Sequence, residues 1–163
     1  MLPYWKKQPK KKKVKDEALD LFPQVKKKRK PNLVKKLDKV FAMYIRLRDT
    51  MPSGYCRCIS CGRIKPFAEI DCGHFHGRMH MATRFDEDNC HGECHYCNRM
   101  SADHLIQYEK NLVKKIGQQK VDWLNVKAHS SKHFLDYELE QMIEHYTREA
   151  KKLSTLKGIR INL

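Results

Sequence analysis

Two Cys-x-x-Cys pairs, Cys58-Ile-Ser-Cys61 and Cys94-His-Tyr-Cys97, constrain this chain more than any other feature. They are separated by 32 residues, and each can aim two thiolates at one ion. Gly62 follows the first pair, where the backbone must bend. Four thiolates fill a tetrahedral zinc shell and leave no position for water. The spacing therefore predicts a structural zinc that ties the ends of the stretch together and offsets a thin local core. Cys56 competes for one ligand position, because Cys56-x-Cys58 falls in the same turn. Cys72 and Cys90 read as buried small residues. All seven cysteines lie between Cys56 and Cys97, an odd and clustered set, and the N-terminus has no apolar segment of the kind that marks a secretory signal. That combination points to metal ligation in a reducing compartment rather than a disulfide framework.

Inside the zinc brace, Asp71, His74, Asn89 and Asn98 form a second constellation. Phosphodiester hydrolysis needs a base to deprotonate water and a cation to carry charge on the phosphoryl oxygens. A histidine titrating near neutrality suits the base role. A carboxylate and an amide oxygen make a hard-oxygen site for Mg²⁺ or Mn²⁺. Asparagine can hold the histidine or its loop in orientation. Singly, each would read as a turn residue; between paired knuckles they read together.

The rest of the chain divides by charge and periodicity. The net charge is +15, and residues 1–36 hold 14 Lys/Arg against three acids, a balance of +11 that leaves +4 for everything after them. Lys10, Lys11, Lys12 and Lys13, then Lys26, Lys27, Lys28, Arg29 and Lys30, fall in a proline-punctuated stretch that cannot bury apolar area, so residues 1–31 read as a disordered arm. Such an arm suits sequence-independent phosphate contact with salt-dependent affinity; a solubilising tail is the bland alternative. Residues 32–163 read as one domain. Leu33, Leu37, Val40, Phe41, Tyr44, Ile45 and Leu47 share a helical face capped by Asn32 and ended by Pro52-Ser-Gly54, with Lys35, Lys36, Lys39, Arg46 and Arg48 opposite. Short strands follow from Tyr55 to His76, including one over Phe67–Ile70, then an irregular excursion and a helix starting near Cys94. From 103 to 155 the chain reads as helical. Leu105, Tyr108, Leu112, Val113 and Ile116 share one face, and Val121, Trp123, Leu124 and Val126 mark a shorter helix. A longer helix, capped by Asp136, carries Leu139, Met142, Ile143, Tyr146, Ala150 and Leu153. No apolar run approaches the length of a membrane span.

The order Cys-x-x-Cys, His, Asn, Cys-x-x-Cys-Asn resembles the zinc-containing branch of the HNH (ββα-metal) endonucleases. The resemblance implies an α+β fold with a small zinc-braced ββα core over 55–102, flanked by helices. It implies that His74 ends a strand and acts as base, Asn89 supports the loop, and Asn98 begins a helix and binds the catalytic ion with Asp71. Many such enzymes place Asp immediately before the histidine, where Gly73 stands here. Asp71 would then reach the ion only if the backbone kinks at Cys72-Gly73, with His76, His80, Asp86 or His91 as alternatives. A closer likeness rests on Leu37-Asp-Lys-Val-Phe41, Tyr44-Ile-Arg-Leu-Arg-Asp49, Tyr55-Cys-Arg-Cys58, Asp71-Cys-Gly-His74, His80-Met-Ala-Thr-Arg-Phe-Asp86 and Asn89-Cys-His91. These are similar to the NinG (Rap) recombination proteins of lambdoid phages. That likeness implies a phage or prophage origin, action in the host cytoplasm, and metal-dependent cleavage of branched DNA such as Holliday junctions and D-loops. Many relatives carry an additional N-terminal zinc-binding segment, where this chain has the lysine-rich arm.

The expected function is thus a structure-specific endonuclease with structural zinc and catalytic Mg²⁺ or Mn²⁺. Its partners would be branched DNA and phage or host recombination proteins, with no membrane. Symmetric resolution of a junction takes two cuts, which makes a homodimer attractive. A non-catalytic zinc-containing adapter that recruits recombination proteins is the alternative. A zinc-ribbon transcription factor ranks lower, since no stretch resembles a base-reading helix.

Overall fold

The computed structural model describes residues 32–163; the arm and its lysines lie outside the described residues. Helix α1 (Leu33–Asp49) begins where the Asn32 side chain accepts from the Lys35 N–H at 2.9 Å, the cap the sequence predicts. Its stripe of Leu37, Val40, Phe41 and Ile45 is buried against α5 (Asp136–Lys157), which contributes Leu139, Ile143 and Tyr146. The Phe41 ring meets those of Tyr146 and Phe85 edge-on, at 4.9 and 5.7 Å between centroids.

Two antiparallel ribbons follow α1. Strands β1 (Tyr55–Arg57) and β2 (Ile64–Pro66) pair across the first knuckle, with Cys56 opposite Lys65. Gly62 takes a φ of +71° there, a conformation that disfavours any side chain. Strands β3 (Ile70–His74) and β4 (Cys90–Cys94) pair with Asp71 opposite Glu93, Cys72 opposite Gly92, and His74 opposite Cys90. Helix α2 (His95–Met100) leaves β4 directly. Helices α3 (His104–Ile116) and α4 (Gln118–Ala128) then enclose a separate small core of Tyr108, Leu112, Val121 and Leu124. Among the described residues, no helix is long and apolar enough to cross a membrane.

Several sequence expectations shift. Residues Phe67–Glu69 form a 3₁₀ turn, not a strand. Pro66 cannot donate to a ladder, and the Arg46 guanidinium covers the Phe67 ring at 4.3 Å while donating to its carbonyl at 2.9 Å. Arg46 is thereby spent inside the fold, as is Arg48, which pairs with Asp49 at 2.9 Å and donates to the Cys90 carbonyl at 2.8 Å. The outward basic face of α1 reduces to Lys35, Lys36 and Lys39. Leu105, Trp123 and Val126 are exposed rather than core. Asp136 is the first residue of α5 and Leu135 the cap position; Glu138 reaches back to accept the Leu135 N–H at 2.7 Å.

Candidate metal and active site

The four thiols come together. Cys58 and Cys61 lie in the turn between β1 and β2, Cys94 ends β4, and Cys97 lies one turn into α2. Their sulfurs fall within 4.8 Å of one another, and those of Cys61 and Cys94 are 3.9 Å apart. Sulfurs each bound at ~2.3 Å in a tetrahedron would be about 3.8 Å apart, so the donor set fits zinc without rearrangement. The Cys94 N–H donates to the Cys58 sulfur at 3.3 Å, the kind of support a thiolate takes. Burial pushes the Cys58 thiol up to about 11, so ligation there must displace protons. Cys56 does not join the cluster. Its fully buried thiol lies under Gly92, where an added Cβ would come within 2.7 Å of the sulfur.

The period of two along β3 and β4 sorts the remaining candidates. Asp71, Gly73 and Glu93 share the face toward α2 and α3. Asp71 accepts from Arg99 Nε at 2.7 Å, Arg99 Nη2 at 2.8 Å and Asn98 Nδ2 at 3.1 Å, and lies 3.3 Å from His95 Nε2. Burial pulls its carboxyl pKa upward, but Arg99, Asn98 and His95 outweigh that and hold it below the usual carboxylate range. Strand β3 runs regularly through Cys72 and Gly73, so Asp71 reaches Asn98 with no kink. The alternative residues are engaged elsewhere: His76 with Asn125, His80 with the Ala128 carbonyl, Asp86 with Lys127, and His91 with Asp49.

Glu93 was not among the sequence candidates. It is fully buried; its Oε1 accepts from Ser60 Oγ and pairs with His104 Nδ1 at 2.8 Å, while Oε2 has no partner. A Cβ on residue 73 would sit 2.4 Å from that Oε2. Packing therefore excludes an acid immediately before His74, and a carboxylate from the neighbouring strand fills the space. No local pattern flagged Glu93, because its partners come from a remote knuckle and a remote helix.

His74 projects from the other face, with Cys72 and Cys90. Their donor atoms lie within 4.8 Å of one another, and both thiols are buried, as the sequence implied for them. Burial first, and Arg78 second, hold the His74 pKa below the ordinary histidine value, so the ring is neutral at pH 7. Asn89 is fully buried: its Oδ1 accepts from the His76 N–H at 2.8 Å, and its Nδ2 donates to the His76 and Thr83 carbonyls, each at 3.0 Å. It fastens the 75–89 excursion onto the end of β3, and none of these hydrogen bonds goes to the His74 ring. The structure thus joins Asp71 to Asn98, places His74 across the strand from them, and sets Asn89 behind the loop.

A four-thiol cluster closing a β-hairpin and short helix, with oxygen donors on one face, defines a small cysteine-braced α+β protein with metal-site geometry. The sequence matches the family described as Bacteriophage Lambda NinG protein over residues 4–156. The chain belongs to the NinG family. It is 32% identical over 102 residues to protein ninG of Escherichia phage 933W, an alignment covering 61% of this chain and 47% of that relative. Protein ninG of Escherichia phage lambda is 31% identical over 102 residues, covering 61% and 46%. That of Salmonella phage P22 is 34% identical over 91 residues, covering 55% and 42%. The chain spans about half the length of the curated relatives it matches. No solved structure matches it.

Proposed function

We propose that this chain is a phage recombination protein that hydrolyses phosphodiester bonds in branched DNA, Holliday junctions and D-loops among them, as an HNH-type endonuclease. The observation that carries the reading is the β3–excursion–β4–α2 unit: His74 ends the first strand, Asn89 secures the loop, and Asn98 enters the helix against Asp71. The order and the placement on strand, loop and helix correspond to those the family resemblance implies. Four thiolates on structural zinc would hold the hairpin and helix in register, away from substrate.

Asp71 and Asn98 offer a carboxylate oxygen and, with the amide turned over, a carbonyl oxygen for Mg²⁺ or Mn²⁺. A divalent ion held there supplies Lewis-acid stabilisation of the charge on the phosphoryl oxygens. Arg99 is exposed, so its guanidinium can leave Asp71 for a DNA phosphate. His74, neutral at pH 7, accepts the proton of the attacking water. Lysines of the N-terminal arm and Lys35, Lys36 and Lys39 of α1 neutralise phosphates. Selectivity then comes from the shape and deformability of the branch rather than from base edges. Phage or host recombination proteins are the natural partners, and two-strand cleavage would be served by a homodimer.

One observation favours the non-catalytic adapter instead: His74 lies on the opposite strand face from Asp71 and Asn98. The test is a four-way junction incubated with the full chain, His74→Ala and Asp71→Ala in Mg²⁺. Cleavage by the unaltered chain, lost in both variants while binding persists, supports the nuclease. Junction binding without cleavage by the unaltered chain in Mg²⁺ and in Mn²⁺ would establish the adapter.

A further inference from the structure

We propose that Cys72, His74 and Cys90 form a second site for a soft transition-metal ion of the zinc class, separate from the four-thiol cluster. The three donors lie within 4.8 Å of one another, two on one strand at alternate positions and the third directly across the ladder from His74. Two thiolates and a neutral imidazole balance a divalent charge. The completed site can therefore lie against the apolar cluster of Leu37, Phe41 and Phe85 without an unpaired charge. Asn89 supplies a supporting contact: its Nδ2 donates toward the Cys90 sulfur at 3.8 Å, whereas the Cys90 thiol's own donation to the Arg84 carbonyl at 3.7 Å is given up when the proton leaves on ligation.

The competing use of two close thiols, a disulfide, fits poorly. Cys72 pairs with Gly92 and Cys90 with His74, so the two cysteines are diagonal across the ladder. Diagonal positions put their Cα atoms roughly 7–8 Å apart, beyond the usual disulfide range. Among the described residues no fourth Cys, His, Asp or Glu joins the group. His74 is its partly exposed member, so solvent completes the shell.

The site has a functional consequence that rests on the nuclease reading. An ion held by His74 occupies the lone pair that would take the proton of water, so zinc at this site switches cleavage off. The site itself does not depend on that reading.

The test uses the full chain, equilibrated with Zn²⁺ under reducing conditions and analysed for metal per chain. Two ions are expected, falling to one in Cys72→Ala and in His74→Gln, the latter at a partly exposed position where folding is least at risk. Co²⁺ titration should show two thiolate charge-transfer bands in sequence, the second lost in both variants. One ion per chain in the unaltered protein, or two ions that survive both substitutions, overturns the site. If the chain cuts junctions, added Zn²⁺ should abolish cutting by the unaltered chain but not by Cys72→Ala; equal sensitivity overturns the switch. A chain that binds two ions and never cuts would uphold the site and remove the nuclease reading.

Discussion

On one face of the β3–β4 hairpin, Asp71 and Glu93 turn carboxylates toward Asn98, Arg99 and His104; on the other, Cys72, His74 and Cys90 turn soft donors toward α1 and the 75–89 excursion. Ten residues of paired strand thus present two kinds of candidate metal donor, separated only by the alternation of side chains. Hard-oxygen donors gather beside an exposed arginine and a short helix. Soft donors gather beside the apolar core, a donor set suited to zinc-class ions. A one-residue slip in the ladder would exchange the faces and destroy both, so register is the property the rest of the fold must guard.

If the four-thiol cluster holds structural zinc it is the main guard, and breaking it should have the largest effect. Cys94→Ser, or chelation of zinc from zinc-loaded protein, should unfold the hairpin–helix unit and blur both faces together, read as loss of cooperative thermal unfolding. Retention of a sharp transition would contradict the structural role of the cluster.

Function should respond differently on the two faces. His74→Ala should lower the cleavage rate about 10²–10⁴-fold, the usual contribution of a general base, with little change in the Mg²⁺ concentration required. Asp71→Asn should instead raise the Mg²⁺ requirement, seen in a titration of rate against metal. Identical profiles for the two variants would erase the distinction between the faces.

Gly73 tests the packing on the oxygen face. Gly73→Ala drives a Cβ into Glu93 and should cost about 1–3 kcal/mol in denaturant unfolding, most of it recovered when Glu93→Ala is added. An additive double variant would show that the contact is not the cause.

The pH dependence is a smaller effect. A base works deprotonated, and burial and Arg78 depress the His74 pKa. Cleavage should therefore rise with pH through an inflection below ~6.5 and then level off. Arg78→Ala should move that inflection upward. An inflection above the ordinary histidine value would exclude His74 in this environment.

How much of this was legible depended on where partners come from. The four zinc-type thiols, the Asn32 cap and the helices after 103 follow from local spacing and periodicity, and all recur in the structure. Strand β4 was illegible: Cys90-His-Gly-Glu-Cys94 has neither β-branched residues nor apolar alternation, yet all five are buried. Missing that strand hid its register, and with the register the burial of Glu93 and the approach of Cys90 to His74; the separation of His74 from Asp71 follows from alternation along β3 alone. Asp49 shows the same limit. At the end of α1 it accepts the Gly92 N–H at 2.8 Å while pairing with its neighbour Arg48, with His91 and with Lys115, a junction assembled from three elements, α1, β4 and α3. Trp123 and Val126 mark the opposite error, since helical spacing cannot say whether another element will arrive to cover them.

The most direct measurement is cleavage of a four-way DNA junction by the purified full chain, compared with linear duplex, with Mg²⁺ present or chelated. Cuts near the branch point are expected only with the divalent ion, with little action on linear duplex. Tight junction binding with no strand scission in either Mg²⁺ or Mn²⁺ would contradict the nuclease reading.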